Sequence, residues 1–142
     1  MQCFLPYADF TKTFKCLDYK RLGCQRMESS ILLQSITVGN GWSFHPASRM
    51  WKNYSNALSL YLNMCIKEWI NRGYKNNMKL IEIEKGSVYL PPWMGDERLH
   101  SSHRASLLYK NPVHYGQFGW KEEPSINYFW PVKNTSKVKT RN

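Results

Sequence analysis

The chain has 142 residues, with 20 Lys and Arg against 10 Asp and Glu, so its formal charge is +10. That length suits one domain able to bury its own core, and a hydrophobic fraction of 42% with 15% aromatics is too rich for disorder. A disordered tail protein, a multidomain enzyme and a coiled coil are excluded, and the charge suits a polyanion, either nucleic acid or acidic lipid.

The opening, MQCFLPYADF, lacks the basic stretch and apolar run of a signal peptide. No window reaches the roughly 18 consecutive apolar residues of a membrane span. Residues 1–6 read as extended, anchored by Phe4 and Leu5. Phe14, Leu17, Cys24, Ile31 and Leu32 then recur at helical spacing and predict a first helix over 10–36, capped by Asp9 or Thr11. Gly23 disfavours its middle by about 1 kcal/mol relative to alanine, and Gly39-Asn40-Gly41 ends it in a turn. Pro46 opens a second helix, 46–72, whose broad apolar stripe runs from Met50 and Trp51 through Tyr61 and Cys65 to Ile70. That stripe is too broad for a one-sided interfacial helix, so no membrane partner is expected. Gly73 is its left-handed cap.

Residues 74–93 read as a loop with local extended structure, stopped by Pro91-Pro92. Asp96 caps a third helix, 97–110, which Asn111-Pro112 ends. Residues 114–130 form an irregular aromatic segment, and 133–142, with four basic and no acidic side chains, read as a mobile tail. The expected fold is all-α: a compact three-helix domain over 1–132 with long connections, acting as a monomer. Cysteines 3, 16, 24 and 65 contain no CxxC pair and read as free thiols in an intracellular, reducing compartment.

Two polar groups do not fit a plain core. Asp18, Arg21, Gln25, Glu28 and Leu32 fall on one helical line beside the apolar one, with Lys20 and Arg26 flanking it. They read either as a solvated face with ion pairs or as a cleft in which cations hold phosphates and a carboxylate moves a proton. His100, His103 and Arg104 share a patch of the third helix. The readings there are a hydrogen-bonded core histidine at 103, a phosphate or substrate contact, or a metal site lacking the zincin spacing. Nucleotide-loop, nucleophile-elbow and zinc-deaminase patterns are absent, and no cofactor or metal is expected.

The segments MQCFLPYADF, LDYKRLGCQRMES, HPASRMWKNYSNALSLYLNMCIKEWINRGYK and PPWMGDERLHSSHRASLLYKNPVHYGQFGW together resemble the pyrimidine-dimer DNA glycosylases of the phage endonuclease V type, most of all a branch of small bacterial and viral proteins. The resemblance spans roughly residues 1–131. It implies an all-helical domain that excises a damaged pyrimidine from duplex DNA and nicks the strand through a Schiff base on its N-terminal α-amine. An α-amine, with a reference pKa near 7.7–8.0, keeps an unprotonated fraction at neutral pH that a lysine lacks. The phosphate-holding roles fall on Lys20, Arg21 and Arg26, with His100, His103 and Arg104 as further nucleic-acid contacts. In the family a glutamate follows an arginine, whereas Leu22 follows Arg21 here. The carboxylate role therefore falls on Glu28, with Asp18 second. Gln2 is large, so Met1 is expected to be retained and to supply the amine. Two other readings stay open: a non-catalytic DNA-binding domain, and another nucleotide- or nucleobase-processing enzyme using Glu28 and the histidines.

Overall fold

A computed structural model describes residues 1–84 and 86–133, so all of the expected tail except Lys133 lies outside the described residues. The Asp9 carboxylate accepts the Lys12 N–H at 2.9 Å and starts α1, Phe10–Cys16. Leu17 then turns extended and buries its side chain, and Asp18, also extended, precedes α2, Tyr19–Thr37. One continuous helix over 10–36 is therefore corrected to two. The break is held from outside: Asp18 makes no side-chain cap and instead binds the Tyr115 hydroxyl and Arg21.

The second expected helix also divides. His45 caps α3, Pro46–Arg49, by accepting the Ala47 N–H on Nδ1 at 3.0 Å. A turn through Asn53, at φ +75°, leads into α4, Ser55–Asn71. The turn lets Trp51 drop fully into the core, edge-on to Trp93 at 4.9 Å, while the Trp93 indole donates to the freed Met50 carbonyl at 2.8 Å. Gly73 follows α4 at φ +90°, and Arg72 bridges Glu68 at 2.8 Å while donating to the Phe14 carbonyl, which ties α4 to α1.

The third helix stands as expected, α5, Glu97–Lys110, with Asp96 accepting the Arg98 N–H. The aromatic C-terminal segment is more ordered than the sequence suggests: α6, Pro112–Tyr115, runs into a 3-10 turn over 116–118. Beyond it Trp120 stacks on Tyr115, and Tyr128 and Trp130 pack against the core. Among the described residues there are thus six α-helices and no strand. No helix among them is long and apolar enough to cross a membrane. All four cysteines are free thiols, with Cys24 exposed and the other three buried.

The centre of the fold is the extended N-terminal segment. Cys3, Phe4 and Leu5 are buried against α2, α4 and α5. Burying the two large side chains, Phe4 and Leu5, is worth about 3–6 kcal/mol together. That is enough to hold the first residues on the helices, and it places the chain terminus beside α2.

Candidate functional site

An extended segment inside a helical protein must find side-chain partners for its peptide groups. Gln25, fully buried on α2, accepts the Phe4 N–H on Oε1 at 2.8 Å and donates from Nε2 to the Gln2 carbonyl at 2.9 Å. The Tyr61 hydroxyl of α4 lies 2.7 Å from both the Phe4 carbonyl and Gln25 Oε1. On α5, His103 Nδ1 accepts the Leu5 N–H at 2.8 Å. His100 Nε2 accepts the Gly95 N–H at 3.0 Å, so its Nδ1 carries the proton and donates to the Leu5 carbonyl at 2.7 Å. Arg104 donates to the Pro6 carbonyl at 2.7 Å. Burial, and secondarily the neighbouring His100, pushes the His103 imidazole down to about 3, which keeps Nδ1 free to accept.

So fastened, the segment sets its α-amine against α2. The Met1 nitrogen lies 3.9 Å from Glu28 Oε1, and the Gln2 N–H donates to the same oxygen at 3.1 Å. The two groups border a cavity of about 260 Å³. Lys20, Arg21 and Cys24 line it from α2, Lys110 comes from the end of α5, and Phe4 and Tyr128 supply aromatic walls. Arg21 is steadied by Asp18 at 3.3 Å. Burial opposes ionisation of Asp18, but the Tyr115 hydroxyl and Arg21 outweigh it and hold the carboxyl below its ordinary value. A cavity with an amine, a carboxylate and three surrounding cations can bind a phosphorylated sugar and bring an electrophilic carbon to the amine.

The sequence-derived site residues fall into two groups. Met1, Glu28, Lys20 and Arg21 converge on the cavity. Asp18 sits behind Arg21 and orients it. Arg26 turns away, with its guanidinium 4.3 Å above the Trp69 ring and bonded to Asn76 at 2.7 Å. Arg104 is held between Glu97 and Glu122 at 2.6 and 2.8 Å. His100 and His103 face the Leu5 peptide groups. Sequence reasoning gave no role to Lys110, Tyr128 or Gln2. Lys110 and Tyr128 reach the cavity from elements roughly a hundred residues from Met1, and no local pattern marks them. Gln25 carried a signal, a carboxamide on the line between the polar and apolar faces.

Fold and cavity together define an all-α, strongly basic protein whose N-terminal amine and a carboxylate share a cation-lined pocket. The family model described as pyrimidine dimer DNA glycosylase matches residues 1–82. The chain belongs to that family, one of DNA-damage-processing glycosylases. The match covers α1 to α4, and with them Met1, Gln25 and Glu28, whereas Lys110 and Tyr128 lie beyond it. No curated protein matches the chain. No solved structure matches it.

Proposed function

We propose that this protein removes a damaged or modified pyrimidine from duplex DNA and cleaves the resulting abasic site, with the Met1 α-amine as nucleophile and Glu28 as the proton-transfer group. The observation that carries the reading is the 3.9 Å separation of amine and carboxylate in a cation-lined cavity. That distance lies just outside direct hydrogen-bond reach of about 2.6–3.2 Å, and one water or a small movement of Glu28 bridges it.

The amine nitrogen attacks the sugar C1′ as the bond to the base breaks, and the base leaves with the bonding pair and takes a proton from water. Glu28 takes a proton from the attacking nitrogen and returns it to the ring oxygen as the C1′–O4′ bond breaks and the adduct opens to a Schiff base. Loss of a C2′ proton to the Glu28 carboxylate then expels the 3′ phosphate oxygen and breaks the strand. Lys20, Arg21 and Lys110 flank the reacting sugar, where phosphates carry the neighbouring charge. Tyr128, only partly buried, offers a ring to a nucleotide drawn out of the stack. The protein acts as a monomer in this reading.

Blocking the amine tests it. Duplex oligonucleotides carrying a pyrimidine dimer, an oxidised pyrimidine or an abasic site are incubated with native protein and with protein acetylated at Met1. The expected result is base release and strand cleavage by native protein, with DNA binding but no cleavage after acetylation. Cleavage at the native rate by acetylated protein contradicts the proposal.

A further inference from the structure

We infer that Gln25 is the positioning residue that sets the register of the N-terminal segment, and through it the place of the α-amine against Glu28. This rests on the amine-nucleophile reading above; Gln25 borders the same cavity but is fully buried, and in that reading it acts on the segment and not on the substrate. A peptide group in a β-ladder donates one hydrogen bond and accepts another along one edge of its neighbour. The Gln25 carboxamide does the same with a single side chain, taking the Phe4 N–H at 2.8 Å and giving to the Gln2 carbonyl at 2.9 Å. No strand stands beside the segment among the described residues, so this side chain replaces one.

The register is defined at both ends of the contact. A slip by one residue turns alternate side chains to opposite faces, which would bring Cys3 N–H or Leu5 N–H to Gln25. Cys3 N–H is taken by Gln2 Oε1 at 3.0 Å, and Leu5 N–H by His103 at 2.8 Å. Gln25 is itself fixed, fully buried with the Tyr61 hydroxyl 2.7 Å from its Oε1. Glu28 lies three residues on along α2, so one rigid helix carries both the group that holds the segment and the carboxylate that faces its terminus. Displacement of the amine by about 1 Å is enough to cost on the order of 10²-fold in rate.

A carboxyl in place of the carboxamide gives a readout that general loss of packing does not. Protonated, it accepts from Phe4 and donates to Gln2 as the amide does. Ionised, it loses that donor and sets an oxygen against the Gln2 carbonyl. Wild type, Gln25→Leu and Gln25→Glu are compared by borohydride-trapping rate on duplex DNA with one abasic site, by DNA affinity, and by folded fraction, from pH 5 to 8. A second measurement follows the ¹³C resonance of the reductively methylated α-amine, with and without Glu28→Gln, in the wild-type and Gln25→Leu backgrounds.

Three results are expected. Gln25→Leu should trap about 10²-fold more slowly with affinity within about threefold of wild type. Gln25→Glu should approach the wild-type rate as pH falls. The effect of Glu28→Gln on the amine resonance should disappear in the Gln25→Leu background. A wild-type rate in both folded variants overturns the inference. If wild type itself is not trapped, the amine chemistry fails, and the resonance comparison decides the positioning role. Persistence of the Glu28 effect without Gln25 then rejects it.

Discussion

Glu28 and His103 show how differently two residues of the same site register in a sequence. Glu28 was legible because α2 is regular: its spacing from Arg21 and Gln25 puts it on the cavity face. Substituting Glu28→Gln keeps the shape and removes the carboxylate that the proposed mechanism uses as its base. Turnover on a damaged duplex should fall by about 10²–10⁴ while binding changes little, a split that single-turnover kinetics beside a binding titration will resolve. His103 was legible as a buried histidine, but its partner was not, since Leu5 lies 98 residues away. Its imidazole is held at about 3, against an ordinary 6.5. The unfolded chain therefore takes up a proton near pH 6.5 that the native state refuses until about pH 3. The native state loses stability as pH falls through that window, by up to about 1.4 kcal/mol per pH unit from this group. Thermal melts between pH 7 and 4 should slope downward, and His103→Gln should flatten that slope while lowering the melting temperature at pH 7. An equal slope in the variant would remove His103 as its source.

At the scale of elements, the helical stripes were readable and the breaks within them were not. Apolar spacing continues across Leu17-Asp18 and across Met50–Tyr54, so nothing local separates α1 from α2 or α3 from α4. Each interruption is held by a distant partner: Tyr115 on Asp18, and Trp93 on the Met50 carbonyl. Gly23 looked like a weak point in a helix and is instead a contact point, because a β-carbon there would lie 3.1 Å from the Trp69 ring. That ring cannot easily give way. Arg26 covers it, Tyr19 and Tyr74 pack on it, and its indole N–H is bonded to the Lys75 carbonyl. Alanine gains about 1 kcal/mol of helix propensity, against about 1–3 kcal/mol for overpacking. Gly23→Ala should therefore destabilise the fold by about 1 kcal/mol, and Gly23→Val by more. A chemical denaturation series gives the sign.

Across the whole molecule, the charge of +10 points to a polyanionic partner but not to which cations face it. Lys20, Arg21 and Lys110 border the cavity, whereas Arg26 is bound over Trp69. Replacing the three cavity cations by alanine should weaken duplex binding and reduce its salt slope by about 3. Arg26→Ala should leave the slope unchanged and cost about 0.5–2 kcal/mol of stability through the lost cation–ring contact. Titrations against salt distinguish the two sets. Equal slopes for both would place the DNA elsewhere on the surface.

The central claim is that the N-terminal amine, brought to Glu28 by a buried extended segment, is the group that reacts. Borohydride reduction during incubation with a duplex carrying one abasic site converts the Schiff base to a stable secondary amine, and mass mapping of the crosslinked peptide identifies the nitrogen. Three amines compete in the same cavity: Met1, Lys20 and Lys110. The expected result is a crosslink at the Met1 α-amine that acetylation abolishes. A crosslink at Lys20 or Lys110, or tight binding with none, would contradict the account.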